Sequence, residues 1–529
     1  MYRRGALSVA VVALVLLLAA GVGYCQSPKY GGTIVFARGA DSVSLDPINV
    51  TDGESLIVTR QIFDGLLQYN EKNTSVEPAL AVSWTVSKDE KVWTFKLRQN
   101  VKFHDGTPFN AQAVKFNFDR WRDPKNPYHD GAFEYYSYMF VQGDTDLIKS
   151  VDVVDDYTVR FVLERPLAPF LANLAMTPFA IASPTAIKKY GADFGNHPVG
   201  TGPFKFVRWD HGDKITLERN DAYWGGKPYL DRIVFRSIPD NSARFMELQA
   251  GSIDIMDGLS PDDVKIAEKD KALKILLRPS FNVGYMAMNM EKKPFGDIRV
   301  RQAIAHAINK PAIIKAFFAG LAEVAKNPMP PSLWGYNDSV TDYEYDPAKA
   351  KKLLAEAGYP NGFETTLWAM PVPRPYMQQP QKIAEAIQAD LAAVGIKAKI
   401  VSYDWATYLD KIAYGEHDMC LIGWVGDNGD PDNFIYVLFS GSNAVPGRAS
   451  NYSFYKNPKV DELLVKAQTV SDLNTRTKLY EEAQQIIHDD CPWVPLVHST
   501  PPLCAKKEVE GYIPHPTVSE SFRKVWINR

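Results

Sequence analysis

The densest run of residues capable of chemistry is Asp427-Asn428-Gly429-Asp430-Pro431-Asp432-Asn433, where three carboxylates and two amides crowd into seven positions. Clustered oxygen ligands suit a hard cation such as calcium, yet the EF-hand order fails: glycine stands third rather than sixth, and Leu438 occupies the place of the bidentate glutamate. The run reads better as a tight turn, with Asp432 capping a following helix. Gly200-Thr201-Gly202 could cradle a phosphate, but Pro203 and an apparent strand follow instead of a helix, so it too reads as a turn. His104, His306, His488 and His498 are scattered, and Cys420, Cys491 and Cys504 form no C-x-x-C pair, which leaves no metal-ligand spacing. There is no G-x-S-x-G, no G-x-x-x-x-G-K-[ST] and no H-E-x-x-H. The chain therefore shows no nucleophile, phosphate or metal signature, and neither an enzyme nor a resident cofactor is expected.

The elements that must position these residues follow from periodicity. Short β-branched and aromatic runs alternate with amphipathic stretches, a mixed α/β pattern. Strands are expected at 32–38, 93–97, 157–163, 398–402 and 493–497, with a hairpin from 205–209 and 214–218 around Asp210-His211-Gly212-Asp213. Helices are expected at 55–67, 111–121, 300–308, 347–357, 383–394, 460–470 and 475–488. No repeat relates the two halves, which favours two unequal lobes over a tandem array.

Composition limits the function classes. The 529 residues are 46% apolar and 23% charged, ordinary for a globular chain. Net charge is -3, and setting aside the two arginines of the first 25 residues leaves 57 basic against 62 acidic groups, or -5, which lacks the electrostatic footprint of a nucleic-acid binder. Residues 1–25, with Arg3 and Arg4 ahead of an apolar run ending in small residues, have the layout of a secretory signal peptide. Cys25 sits where a lipidated cysteine would, but Tyr24 before it is larger than such sites accept. In an oxidising compartment Cys491 and Cys504 either pair or stay free; spacing does not decide.

Four segments in order carry a resemblance: 79–120 (ALAVSWTVSKDEKVWTFKLRQNVKFHDGTPFNAQAVKFNFDR), 198–204 (PVGTGPF), 219–225 (RNDAYWG) and 295–309 (FGDIRVRQAIAHAIN). Together they resemble the family 5 extracellular solute-binding proteins of ABC importers. Within that family, 367–376 (LWAMPVPRPY) and 423–434 (GWVGDNGDPDNF) are most similar to periplasmic dipeptide-binding proteins.

The resemblance implies a two-lobed α/β periplasmic-binding-protein fold, type II and cluster C-like. Its first lobe would span 26–281, with an inserted subdomain near 64–195; 282–498 would form the second, and 499–529 would return to the first. Two hinge crossovers are then expected, at Asn282–Tyr285 and His498–Thr500. The same resemblance implies a monomer that encloses a dipeptide, or by extension a tripeptide, and docks on an importer's permease and ATPase subunits.

A zwitterionic peptide needs an acid and a base at fixed separation. By similarity Asp427 meets the ammonium, and Arg374 meets the carboxylate with its planar fork. Trp405, Trp424 and Tyr376 match aromatic pocket positions. Relatives of this kind carry disulfide cysteines where this chain has Ala37, Gly251 and Gly441, so those crosslinks cannot form here. Glutathione, haem or another peptide-like ligand is the alternative cargo on the same scaffold, and a secreted peptidase the remote alternative.

Overall fold

Two sheets built from interleaved parts of the chain organise the molecule. The computed structural model describes residues 27–529, so the expected signal peptide and Cys25 lie outside the described residues. A seven-stranded sheet orders its strands 204–210, 214–219, 232–237, 33–38, 255–256, 502–506 and 273–277. A six-stranded sheet orders 322–324, 493–499, 282–288, 419–425, 364–368 and 397–401. The C-terminal strand Pro502–Lys506 pairs antiparallel with Leu273–Leu277, so the last part of the chain completes the first sheet. A smaller four-stranded antiparallel sheet, 81–86, 92–97, 158–163 and 148–155, stands as a third layer. Its inner face holds Phe95, Phe118, Phe161 and Phe170 in edge-to-face and tilted contacts.

The chain passes between the two large sheets twice, at 278–281 and at 500–501. Asn282 ties the two passages together: its Nδ2 donates to the Ser499 carbonyl at 2.9 Å, and its Oδ1 accepts from the Ser499 amide at 3.0 Å. Its carbonyl also meets His498 Nδ1 at 2.7 Å. Beside it the buried Arg278 guanidinium is held by Asp257 and Glu520. Side chains thus cross-link the two connections, which run in opposite directions between the sheets.

The motifs that looked chemical are structural. Asp64, 1% exposed, accepts from Thr201 Oγ1 at 2.8 Å, Tyr223 Oη at 2.9 Å and Trp224 Nε1 at 2.8 Å, so two of the recognised segments converge on one carboxylate. A Cβ on Gly200 would stand 2.2 Å from the Ile62 carbonyl oxygen, which explains a glycine there without any phosphate. Observed helices shift by a few residues from expectation; the helix expected at 55–67 runs Gly53–Ile62 because Asp52 caps it by accepting from the Ser55 amide. Cys420, Cys491 and Cys504 are all buried free thiols, so Cys491 and Cys504 do not pair.

Candidate functional site

Asp427 follows the strand Met419–Val425, an interior strand of the six-stranded sheet between 282–288 and 364–368. The loop behind it is tight: a Cβ on Gly426 would lie 2.3 Å from the Phe281 ring. One side chain then holds the whole corner. Asn433 Oδ1 accepts from the Asp427 amide at 2.8 Å and from Trp424 Nε1 at 3.0 Å, while its Nδ2 donates to Asp427 Oδ2 at 3.1 Å. The other carboxylate oxygen accepts from Tyr135 Oη at 2.7 Å. Tyr135 belongs to the short helix Glu134–Phe140, which arrives from the four-stranded side, so Asp427 sits at a junction between bodies. Burial pushes the Asp427 carboxyl up to about 6, against the smaller opposing pull of the bonds from Tyr135 and Asn433. A carboxylate held this way is preorganised but under-solvated, and a cation brought to it would relieve that cost.

The expected cap at Asp432 is not formed. Helix Asp432–Phe439 begins after Pro431 with no side-chain cap, and the Asp432 amide donates to Asp430 Oδ1 at 3.0 Å. Asp430 in turn binds the Arg476 guanidinium through both oxygens, at 2.8 and 2.7 Å. Asp432 instead accepts from Gln468 Nε2 at 3.1 Å. Gln468 reaches across the junction, taking a 2.6 Å bond from Arg165 on its side chain and a 2.7 Å bond from the Ala168 amide on its carbonyl. Asn428 makes a further crossing, donating to Asn173 Oδ1 at 2.9 Å. Asp430 and Asp432 are therefore spent on Arg476 and Gln468, while Gln468 and Asn428 carry the contacts to Arg165, Ala168 and Asn173, and among the described residues no group of three or more acidic, histidine or cysteine residues could hold a metal ion.

Arg374 lies in the loop after strand Glu364–Trp368. Its amide donates to the Met377 carbonyl at 3.0 Å and its carbonyl accepts from the Met377 amide at 2.9 Å, closing a tight turn. Ser499 Oγ donates to the Pro375 carbonyl at 2.7 Å, so the same hinge serine that binds Asn282 also seats this turn. The guanidinium carbon stands 5.0 Å over the Trp405 ring, a cation–π contact, and its buried Nε has no hydrogen-bond partner. Glu54, in the first turn of helix Gly53–Ile62 on the seven-stranded side, feels Arg374 across the junction. Burial raises its carboxyl, and Arg38, Arg374 and Arg244 oppose that rise.

The aromatic residues divide. Trp405 opens helix Trp405–Ala413 behind the Asp404 cap and stacks on Tyr408 at 5.8 Å with 13° between planes, leaving part of the indole open. Trp424 is also partly open, pinned by its indole N–H to Asn433. Tyr376 is only 4% exposed, with its ring over Gly423, where a Cβ would be 2.3 Å away. Its ring packs beside the Arg374 turn. Sequence reasoning missed Tyr135, Asn433 and Glu54. Asn433 was in view inside the acidic run, but only the fold shows that it points back at Asp427, and nothing local distinguishes Tyr135 from Tyr136 and Tyr138.

The model of the bacterial extracellular solute-binding proteins, family 5, matches residues 75–445. The chain belongs to this family. It is 42% identical over 510 residues to a dipeptide-binding protein of Escherichia coli (strain K12), covering 94% of each chain. It is 39% identical over 508 residues to heme-binding protein A of Haemophilus influenzae, covering 94% of this chain and 92% of that relative. Among solved structures, the periplasmic binding protein DppA of Helicobacter pylori, an ABC transporter-associated protein in complex with the peptide STSA, superposes with a TM-score of 0.88 at 40% identity, covering 95% of this chain and 99% of that one. The fold is thus the two-lobed α/β architecture of the family.

Proposed function

We propose that the protein captures dipeptides between its lobes and delivers them to an ABC importer, acting by recognition and not by catalysis. The observation that carries this reading is Asp427: a carboxylate at the lobe junction, held by Asn433 from one side and Tyr135 from the other. It offers one end of a zwitterion its counter-charge, and Arg374 on its Trp405 platform offers the other. The names of the relatives, which bind dipeptides or a short peptide, support the same class of cargo. The acid and the base lie on loops of one sheet, while Tyr135 approaches from another body, so a ligand bound to the pair is enclosed when the halves meet. Closure is then favoured by the ligand's greater affinity for the enclosed state.

In this reading residues 26–281 and 499–529 form one lobe and 282–498 the other, the exported protein works as a monomer in the periplasm, and permease and ATPase subunits supply the transport energy. Isothermal titration with dialanine, preceded by native mass spectrometry of the protein as purified, tests it. Dipeptide binding at micromolar concentration or tighter is expected. Absence of dipeptide binding together with co-purified haem would replace this reading with that of a haem carrier, as the Haemophilus influenzae relative's name suggests.

A further inference from the structure

The turn that carries Arg374 rests on the six-stranded sheet at three points, two of them where the chain crosses between the sheets. Ser499, at the end of strand Trp493–Ser499, donates its hydroxyl to the Pro375 carbonyl at 2.7 Å; the same oxygen lies 3.2 Å from Asn282 Oδ1. Gly284, two residues past Asn282 on strand Asn282–Met288, lies beneath the turn: a Cβ there would stand 3.0 Å from the Tyr376 carbonyl oxygen and 3.5 Å from the Met377 methyl. Gly423 is the register partner of Gly284 on the neighbouring strand, and a Cβ on it would run into the Tyr376 ring. The two glycines leave a hollow two strands wide, free of side chains, and the turn sinks into it.

Little else aims the guanidinium. It stands 5.0 Å over the Trp405 ring, and its buried Nε has no hydrogen-bond partner. A cation over an aromatic face tolerates lateral shifts within about 6 Å of the ring centroid, whereas a fork that grips a carboxylate must align two bonds at once. The alignment is therefore inherited from the backbone of the turn, and the turn inherits it from its seat. The seat also refers the base to the acid, because Gly423 lies on strand Met419–Val425, which Asp427 follows. We propose that Ser499, Gly284 and Gly423 are positioning residues for carboxylate recognition, holding the Arg374 fork in register with Asp427. The proposal rests on the peptide-binding reading above and deepens it, assigning part of the specificity for a free C-terminal carboxylate to groups beneath the turn.

Calorimetry at pH 7 with dialanine and dialanine amide, on the wild type, Ser499→Ala and Gly284→Ala, tests it. The amide keeps the ammonium for Asp427 and lacks the carboxylate, so the ratio of the two affinities reads the fork, while a general loosening of the fold or of lobe closure moves both ligands together. The wild type should bind dialanine about tenfold or more tighter than the amide, the scale of a charge-assisted pair. In Ser499→Ala the dialanine affinity should fall about fivefold, the scale of one lost hydrogen bond, with the amide changed less than twofold. Gly284→Ala, whose methyl presses on the Tyr376 carbonyl, should lower the ratio at least as far. Asn282 holds residue 499 through its backbone amide and carbonyl, so Ser499→Ala leaves that tie in place and keeps the test decisive if Gly284→Ala does not fold. An unchanged ratio in either folded variant, or equal losses for both ligands, would overturn the seat while the peptide reading stands. A wild type that binds dialanine and its amide equally would overturn Arg374 as the carboxylate anchor and the seat with it, and a wild type that binds neither would overturn the peptide reading itself together with the seat.

Discussion

Consider Asp427→Asn. The carboxylate accepts from Tyr135 on one oxygen and from Asn433 on the other. An amide of the same shape can keep both contacts, since its oxygen accepts from Asn433 and its nitrogen donates to the tyrosine hydroxyl. Only the charge is lost. A ligand ammonium brought into the cleft would then lack its counter-charge, at a cost of about 3–5 kcal/mol, or about two to three and a half orders of magnitude in Kd. The free protein should respond in the opposite sense. Because the folded carboxyl is raised to about 6 from an ordinary 3.8, the fold binds the proton more tightly than the unfolded chain does, so this group's contribution is most favourable in acid and is lost as pH rises from about 4 through 6. The substitution removes that penalty, and the unliganded variant at pH 7 should melt no lower than the wild type. The wild type carries its own control: with a carboxyl near 6, the ionised fraction falls from about nine-tenths at pH 7 to about one-tenth at pH 5, so dipeptide affinity should drop about tenfold over that interval. Titration calorimetry at both pH values, with scanning calorimetry of the free forms, measures all three effects. An Asp427→Asn protein that binds dialanine with wild-type affinity would refute the anchor assignment outright.

Arg374→Lys keeps the charge but loses the fork and the stacking on Trp405; about a tenfold loss in dipeptide affinity is expected, with Arg374→Ala worse and a C-terminally amidated dipeptide nearly indifferent to either change by calorimetry. Gln468→Ala removes the group that joins Asp432 to Arg165 across the junction without approaching the anchors; at about 1.5–3 kcal/mol for bonds to charged groups, affinity should fall about tenfold or more, and small-angle scattering of the liganded variant should show a less compact particle. Asp64→Ala strands the Thr201, Tyr223 and Trp224 donors in the core; urea unfolding should show a loss of about 3 kcal/mol or more, and an unchanged midpoint would show that the convergence on Asp64 is incidental.

Sequence alone determined the alternation of strand and helix, the hairpin around Asp210–Asp213 and the family, because these are written in short-range periodicity and in runs of neighbouring residues. The recognised segments were legible before their purpose was: Thr201 and Tyr223–Trp224 match a pattern, and the fold supplies the reason, a single buried carboxylate that all three donors share. Asp432 was misread as a cap because a local rule was applied to a residue whose partner, Gln468, is 36 positions away. Tertiary structure decided everything that depends on convergence. It brought Tyr135 across 292 positions to Asp427 and buried the Tyr376 ring against Gly423. Charge pairing and burial are set by distance in space, and a chain that crosses twice between its lobes leaves that distance unreadable from separation along the sequence.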